Sequence, residues 1–386
     1  MNNKAKLILL AIVPLGVTSC GQAKTYADHL DDYVVTMKYR EDFNILQLTD
    51  IHWNYNSSTL SSRRYLDKVI EEVHKHVQAQ GAGSKIDLVE LTGDQFMLAN
   101  AYHVETFVKY FEEQAEKYGF KYAVIWGNHD RHGIYNPNWL SDQFKAGKHA
   151  VFIDDEDDLY GRSNFVINLT EDGSKNTKAK WQIANLDSGA SFSETSVSPF
   201  RDYDYIRKEQ TDWWVKEHQL VGDDVPAIAY YHIPQDENKA AWEEVKAGAS
   251  YKNKFFKLET FAENESGNYK SDFLDKAADN NLKAAFMGHA HNVDWTVEYK
   301  LGENNDKNVI IGLGVKTGLE LYYAHIDAAT TDEDMKKGLE SVGINENFDL
   351  IGASLVTLKD TAGSFDLEHL YYNERTSGDF VRWVKW

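Results

Sequence analysis

Aspartate, asparagine and histidine recur directly after apolar runs of this chain. Five runs end in this way, and the polar residues that follow them are Asp50 and His52; Asp94; Asn128, His129 and Asp130; His232; and His289 and His291. Histidine and aspartate are costly to bring near a protein core unless something pairs with them. Imidazole and carboxylate groups together suit zinc, manganese and iron. The repeated pattern therefore indicates a metal site, although any single ending could equally be a polar turn.

The number of candidate ligands favours two ions over one. Two aspartates, one asparagine and four histidines exceed the needs of one tetrahedral ion, but they fit two ions that share a carboxylate: Asp50, Asp94, Asn128, His52, His232, His289 and His291. Two divalent ions against two carboxylates leave about two positive charges uncompensated, and ions ~3.5–4 Å apart can hold an attacking water and a phosphoryl oxygen together. Such a pair of ions would attract a phosphate oxygen and lower the pKa of a water that bridges them.

Strand and helix patterns alternate in the part of the chain that carries the first endings. Apolar runs over 43–49, 86–92 and 121–126 predict strands, and helical spacing of apolar residues over 61–79 and 101–118 predicts helices between them. This order predicts parallel strands joined by right-handed crossovers. Ligands gather beyond the carboxyl ends of strands in such sheets. We therefore expect the polar endings to meet at one rim.

The later apolar runs extend this organisation. Strands are predicted over 225–234 and 281–292, and each has a polar end. The other predicted elements are a hairpin within 164–188, a helix over 203–218, and strands over 308–315, 351–358 and 365–372 that run antiparallel and close a sheet. The turn at 316–318 is expected to be structural and to lie near the rim of the site.

The N-terminus has the layout of a secretory signal. Two lysines precede an apolar stretch over 7–17, which is short for a permanent membrane span, and the stretch leads to Val-Thr-Ser-Cys at 17–20. This ending resembles a bacterial lipobox, in which lipidation of Cys20 would anchor the protein on the extracytoplasmic side of the bacterial cell membrane. The alternative is an ordinary cleaved signal with a chance cysteine. The predicted organisation is a lipoprotein signal over 1–20, a linker over 21–40 and one domain over 41–386, with a surface insertion around 235–272.

Charge and cysteine content limit the possible functions. The chain carries 61 acidic and 41 basic residues, a formal net charge of -20, and such an acidic surface disfavours long nucleic acids as partners. A site for anionic phosphate then needs local positive charge, for which bound cations are the favoured source. The single cysteine is Cys20, so a body without it has neither disulfides nor thiolate ligands.

The series D-x-H, G-D, G-N-H-D, H and G-H-x-H, over 50–291, resembles the calcineurin-like metallophosphoesterase superfamily. The resemblance implies an α/β (α+β) fold, a four-layer sandwich of two mixed β-sheets flanked by helices. It also implies roles for the residues: Asp50, His52 and His291 for the first metal; Asn128, His232 and His289 for the second; Asp94 as the bridge; His129 at the phosphoryl oxygen or the leaving alkoxide; and Asp130 as the group that orients His129. The alternatives are a structural hydrogen bond for His129 and a turn-stabilising role for Asp130.

A narrower resemblance links the chain to the purple-acid-phosphatase-like branch of this superfamily. It is carried by YYHIP around His232 and by DYIRKEQTDWW, LDS over 186–188 and LGVKTG over 313–318. In that branch the motif G-D-x-x-Y supplies a tyrosine ligand to iron(III), but Met97 occupies the position here. The resemblance then implies a colourless pair of divalent metals, or a mixed pair with iron, drawn from Zn, Mn, Fe, Mg or Ca.

Together these observations predict a dinuclear-metal phosphoester hydrolase whose nucleophile is a hydroxide that bridges the metals. The favoured activity is that of a phosphatase acting on monoesters. One alternative is a phosphodiesterase acting on nucleotides or phospholipid head groups, and another is a non-catalytic surface binding protein with the same fold. The expected partner is a small phosphoester, with membrane contact only through the lipid anchor. Arg63, Arg64 and Arg131 could contact a second substituent of the phosphate, and the sequence singles out none of them.

Overall fold

The computed structural model describes residues 33–54, 57–131, 137–154, 159–190, 203–257, 270–320, 325–326, 348–375 and 378–386. The predicted signal over 1–20, its lipidation site Cys20 and the first part of the predicted linker lie outside the described residues. Among the helices that are described, none combines the length and apolar character needed to cross a bilayer.

The strands and helices alternate along the chain. The strands in chain order are β1 (Val34–Lys38), β2 (Phe43–Leu48), β3 (Ile86–Thr92), β4 (Lys121–Ile125), β5 (Phe165–Thr170), β6 (Ala179–Asn185), β7 (Ala227–Tyr230), β8 (Asn253–Lys257), β9 (Leu282–Met287), β10 (Val293–Leu301), β11 (Lys307–Leu313), β12 (His325–Ile326), β13 (Phe348–Asp349), β14 (Gly352–Leu358), β15 (Phe365–Arg375) and β16 (Gly378–Lys385). The helices are α1 (Ser57–Gln80), α2 (Ala101–Tyr118), α3 (Pro137–Lys145), α4 (Lys208–Val221), α5 (Asp236–Lys246) and α6 (Phe273–Asp279).

The first sheet has six strands in the order β16-β15-β14-β2-β3-β4. Strands β2, β3 and β4 are parallel, and helices α1 and α2 connect them, as the alternating pattern predicts. Strand β3 has the predicted bounds. Helix α1 begins at Ser57, before the predicted start at 61, and helix α4 begins at Lys208, after the predicted start at 203. Helix α1 packs on β3 and β14, and α2 packs on β4.

The second sheet has eight strands in the order β1-β5-β6-β7-β9-β11-β10-β8. Strands β6, β7, β9 and β11 are parallel, and β5 and β6 form the predicted hairpin. The expectation that 308–315 pairs antiparallel with the C-terminal strands is wrong. After β10, the chain turns back and β11 inserts between β10 and β9, so β11 is antiparallel to β10 but parallel to β9.

Two predicted connecting segments contain regular structure. Val34–Lys38, within the predicted linker, pairs with β5 as an edge strand, and Val34 is its buried residue. The segment 235–272 contains helix α5 and strand β8, which pairs with β10 at the edge of the sheet. The structured body therefore begins before residue 41.

Two large hydrophobic cores among the described residues hold the layers together. The larger one fills the space between the two sheets and continues under α1 and α2, and the other lies between the eight-stranded sheet and helices α4 and α6. The architecture is two mixed sheets flanked by helices, which confirms the predicted fold class. Because β2, β3, β4, β7 and β9 run toward the same rim, the polar residues that follow them face one another across the two sheets.

Candidate metal centre

Four of the predicted site residues have a backbone conformation that is rare for residues other than glycine. The φ angles of Asp50, His52, Asp94 and His289 are 53°, 51°, 54° and 73°. Left-handed residues of this kind cost on the order of 1–3 kcal/mol each and cluster at functional sites. Hydrogen bonds between the loops compensate here, with the backbone N of Asp50 donating to Gly93 O at 3.1 Å and that of His52 to Asp94 O at 2.9 Å.

Glycines allow the loops to approach each other closely. A Cβ at Gly127 would lie 2.3 Å from the backbone N of Asp94, and a Cβ at Gly288 would lie 2.0 Å from Thr49 Oγ1. These glycines precede Asn128 and His289. At both positions the absence of a side chain lets one loop of the site contact another loop directly. This explains why glycine comes first in the sequences G-N-H-D and G-H-x-H.

The first group of converging side chains consists of Asp50, His52, Asp94 and His291. One ligand atom from each lies within 4.8 Å of all the others, and all four residues are buried. His291 Nε2 is 3.2 Å from Asp50 Oδ1, and His52 Nε2 is 3.8 Å from Asp94 Oδ2. The Nε2 atoms of the two histidines are only 3.0 Å apart.

The second group consists of Asp94, His232 and His289, again with ligand atoms within 4.8 Å of one another. Asn128 joins it, because its Oδ1 is 3.1 Å from His232 Nε2. Asp94 belongs to both groups. Its Oδ1 is 3.3 Å from His232 Nε2, while its Oδ2 faces His52. The structure thus brings together all seven residues predicted to bind metal, with Asp94 between two sets.

The donor atoms fit a pair of cations. Oδ2 of Asp50 accepts hydrogen bonds from Thr49 Oγ1 at 2.7 Å and from the backbone N of His289 at 3.0 Å. Its buried Oδ1, in contrast, has no described donor in hydrogen-bond geometry and faces His291. His232 Nδ1 lies 2.9 Å from Thr92 O, which holds that ring so that Nε2 points to the centre. A histidine that binds a metal usually donates a hydrogen bond from one ring nitrogen and coordinates the metal through the other.

The electrostatics of the centre also favour cations. Burial lowers the pKa of His52 well below its usual value and that of His289 to about 3, so both rings are neutral electron-pair donors. Burial alone would raise the pKa of Asp94, but neighbouring histidines hold it well below its usual value. Burial alone would lower the pKa of His232, but Asp94 and Asp50 raise it to about 9. The buried carboxylates therefore attract positive charge, which divalent ions would supply.

His129 and Asp130 lie in a 3-10 turn beside the second group. The backbone N of His129 donates to Asp94 Oδ1 at 2.7 Å, and its partly exposed ring is perpendicular to that of His52 at a centroid distance of 5.0 Å. The carboxylate of buried Asp130 accepts hydrogen bonds from the backbone N of Gly127 at 2.8 Å and of Phe96 at 2.9 Å. These contacts favour the turn-stabilising alternative for Asp130, and its orientation of His129 stays a prediction.

Lys316 is a residue of this site that sequence reasoning missed. It is 2% exposed, and its Nζ donates to the backbone O of Asp50 at 2.7 Å. Burial lowers its pKa to about 8, although Asp50 and Asp94 oppose this shift. The signal was the same as for the other residues, since Lys316 directly follows the apolar run of β11. Because lysine is not one of the usual metal ligands, the sequence predicts only a structural turn at 316–318.

The three candidate arginines have different surroundings in the structure. Arg63 is 44% exposed and pairs with Glu113 at 2.7 Å, so it joins the outer faces of α1 and α2. Arg64 lies on the same helix and is exposed. Arg131 instead ends the turn that begins at His129 and pairs with buried Asp187. Only Arg131 thus lies next to the candidate centre.

A match to a protein-family model agrees with this geometry. The family model described as calcineurin-like phosphoesterase matches residues 43–293, a range that includes all seven converging residues. The chain is 24% identical over 280 residues to "Probable inactive purple acid phosphatase 28" of Arabidopsis thaliana, a match that covers 66% of this chain and 67% of that protein. A solved structure, the NAD nucleotidase NadN of Haemophilus influenzae, aligns with a TM-score of 0.37 and 12% identity over 89% of this chain. The chain spans about half of that protein, 53% of its length.

Proposed function

This chain belongs to the calcineurin-like phosphoesterase family of metal-dependent phosphoester hydrolases, and we propose that it is a phosphatase that hydrolyses small phosphate monoesters. The observation that carries the proposal is the position of Asp94. Its two carboxylate oxygens face two separate sets of buried nitrogen and oxygen ligands. A shared carboxylate between two ligand sets is the arrangement that a dinuclear hydrolytic centre needs.

Each candidate ligand has a place in this proposal. Asp50, His52 and His291 would hold one ion, Asn128, His232 and His289 the other, and Asp94 both. Two divalent ions held by these residues would supply a nucleophile from water near neutral pH and countercharge for the phosphoryl oxygens. Nitrogen and oxygen ligands of this kind suit zinc, manganese or iron.

The other residues of the centre would act on the substrate or on the ligands. His129 is partly exposed beside the centre, so its ring can protonate the leaving alkoxide or donate a hydrogen bond to a phosphoryl oxygen. Asp130 holds the turn that carries His129. Lys316 fixes the backbone of Asp50 through the hydrogen bond that its Nζ donates to the O of Asp50.

The preference for monoesters rests on local charge. Buried Lys316 adds positive charge beside the centre, in a chain with a formal net charge of -20. A phosphate monoester carries about -1.5 to -2 charges at pH 7, which is more than the single charge of a diester. Additional cationic groups therefore favour the monoester.

A panel of phosphoesters tests this function. The purified protein is stripped with a chelator, reloaded with one defined metal and assayed with p-nitrophenyl phosphate, bis(p-nitrophenyl) phosphate, nucleotides and phospholipid head groups. We expect hydrolysis of monoesters that requires metal and is lost in Asn128→Ala. Faster hydrolysis of the diesters would replace the phosphatase by the phosphodiesterase alternative. Bound metal without turnover above the Asn128→Ala level would support a non-catalytic binding protein.

We also propose that the protein is lipid-anchored on the extracytoplasmic face of the bacterial membrane. The support is the sequence over 1–20, which ends in Val-Thr-Ser-Cys. Cys20→Ala should move the protein from the membrane fraction to the soluble extracytoplasmic fraction. Retention of this variant in the membrane to the wild-type extent would contradict lipidation at Cys20.

A further inference from the structure

Arg131 lies two residues after His129, in the turn beside the candidate centre, and the proposed chemistry does not use its guanidinium. Arg131 ends the 3-10 turn that begins at His129, and its Nη2 donates to Oδ2 of Asp187. The carboxylate of Asp187 is fully buried, whereas the Arg131 side chain keeps 21% of its surface exposed. The carboxylate end of this ion pair is therefore buried, and the guanidinium end is partly accessible although its Nε is buried.

Asp187 is held rigidly beside the second ligand set. Its Oδ2 also accepts a hydrogen bond from the backbone N of Arg162 at 2.8 Å, and its Oδ1 accepts one from Gly189 N at 2.9 Å. The next residue, Ser188, accepts a hydrogen bond from the backbone N of Ile233 at 2.8 Å through its Oγ. Asp187 thus belongs to the loop that packs on His232, and Arg131 spans the rim from the His129 turn to this loop.

The hydrogen bonds of Arg131 are incomplete for a purely structural pair. Arginine and carboxylate commonly form two parallel hydrogen bonds, but within the described part of the chain only Nη2 of Arg131 finds an acceptor. Its planar fork of donors matches the geometry of phosphate oxygens. A guanidinium with unused donors, held by a buried carboxylate at an anion-hydrolysing site, is suited to bind one more phosphate oxygen.

The neighbouring arginine does not have this freedom. Arg207 lies over the rings of Tyr160 at 4.5 Å and Tyr205 at 4.2 Å, and it pairs with Asp204 at 2.7 Å. Its guanidinium is therefore engaged by aromatic faces and a carboxylate. Arg131 is the better placed of these two groups to contact a substrate.

We propose that Arg131, positioned by Asp187, binds a non-ester oxygen of the substrate phosphate and so selects monoesters over diesters. This inference rests on the proposed phosphoesterase function. A monoester has three non-ester oxygens and a diester has two, because the second ester substituent replaces one of them. A donor placed for the third oxygen stabilises a bound monoester, but it meets an uncharged ester oxygen or a bulky group in a diester.

The test compares Arg131→Met with wild type and with Arg63→Met, a matched control that removes an exposed arginine from α1. Loss of Arg131 would leave the buried carboxylate of Asp187 without its partner, which can impair folding. The double variant Arg131→Met with Asp187→Asn removes that charge. Thermal unfolding and metal content show whether each variant is folded and loaded. The assays are kcat/KM for p-nitrophenyl phosphate and bis(p-nitrophenyl) phosphate, and the Kd of inorganic phosphate by calorimetry.

In both Arg131 variants we expect kcat/KM for the monoester and the affinity for phosphate to fall about 10- to 100-fold, the usual range for a hydrogen bond to a charged group. The diester kcat/KM should change less than about threefold, and Arg63→Met should resemble wild type. An equal loss for both esters, or unchanged phosphate affinity, would overturn the inference and leave a structural ion pair. If wild type hydrolyses neither ester, the proposed function fails, and the phosphate affinities still decide the role of Arg131.

Discussion

At the scale of single residues, the candidate centre consists of buried carboxylates that lie close to one another and to histidine rings. Asp50, Asp94 and Asp130 are at most 1% exposed, and they lie within one small region of the rim. Burying carboxylates is unfavourable unless they are paired. Backbone amides compensate Asp130, whereas Asp50 directs an oxygen at His291 and Asp94 directs one at His232. The residues of the centre are thus arranged for cations.

His129 is expected to act on the leaving group. Replacement by asparagine should lower kcat by about 10²–10⁴-fold while the protein keeps its metal, because general acid catalysis typically contributes this much. The loss should be larger for an alkyl phosphate, whose alkoxide needs a proton, than for p-nitrophenyl phosphate, whose leaving group is stable as an anion. The measurement is kcat for both substrates with metal content as the control. A loss of the same size for both would assign His129 to the phosphoryl oxygen.

At the scale of elements, the segment 316–318 links the two sheets at the rim. It follows β11 of the eight-stranded sheet and pairs beside Thr49 at the end of β2. Lys316 Nζ and the backbone N of Gly318 both donate to the O of Asp50, at 2.7 Å and 3.2 Å. The segment therefore stabilises the left-handed conformation that Asp50 adopts.

Gly318→Ala should disturb this segment. A Cβ at Gly318 would lie 2.1 Å from Ile51 O and 2.5 Å from Asp50 O, so the backbone that carries Asp50 must move. We expect a loss of roughly 2–4 kcal/mol in the free energy of unfolding and weaker metal binding. Gly81→Ala is the control, because its Cβ would meet only Ser84 Oγ at 3.5 Å. The measurements are urea unfolding and metal titration of both variants. Wild-type metal affinity in Gly318→Ala would show that the segment 316–318 does not position Asp50 for metal binding.

Helix α4 contains a buried histidine that should make stability depend on pH. His218 faces Gln182 Oε1 at 3.0 Å and stacks on Trp214, and burial lowers its pKa to about 4. The unfolded chain, with a histidine pKa near ~6.5, binds more protons than the folded one between these values, so stability falls as the pH drops from about 6.5 to about 4. The effect is at most about 3 kcal/mol.

His218→Gln removes this titration. Urea unfolding of the variant and of wild type, both in chelator, should show a difference in unfolding free energy that shrinks as the pH falls from about 6.5 to about 4. A difference that is constant over this range would show that His218 does not titrate as its burial implies.

At the scale of the whole molecule, the centre lies between the two sheets, at one rim of the apolar core that they share. Asp50, Asp94 and Asn128 follow strands of the six-stranded sheet, and His232 and His289 follow strands of the eight-stranded sheet. Ions shared by both sets of loops would tie the sheets together at this rim. Metal binding should consequently contribute to global stability as well as to catalysis.

Removing metal should therefore lower Tm. Ligand linkage gives about 4 kcal/mol for a site at free metal 1,000-fold above its Kd, which corresponds to a rise in Tm of at least about 5 °C when metal is restored. Thermal unfolding with chelator and with added metal measures this. Asp94→Ala should show almost no response to metal, and a full response in that variant would mean that the stabilising ions bind elsewhere.

Sequence alone predicts the parts of this molecule that depend on local pattern. The seven ligand candidates follow apolar runs, so strand ends and their meeting at one rim could be predicted from the order of elements. Lys316 and Arg131 could not be assigned, because their partners Asp50 and Asp187 are 266 and 56 residues away along the chain. The direction of β11 depends equally on its insertion between β10 and β9, which the residues of the strand do not encode.

The number of ions bound per chain tests the central claim most directly. Wild type, Asp94→Ala and the control Asp212→Ala, which changes an exposed residue of α4, are stripped, reloaded with one metal and analysed by elemental mass spectrometry after desalting. We expect two ions per chain in wild type and in Asp212→Ala, and fewer than one in Asp94→Ala. Two ions retained in Asp94→Ala, or none bound by wild type, would contradict a dinuclear centre built around Asp94.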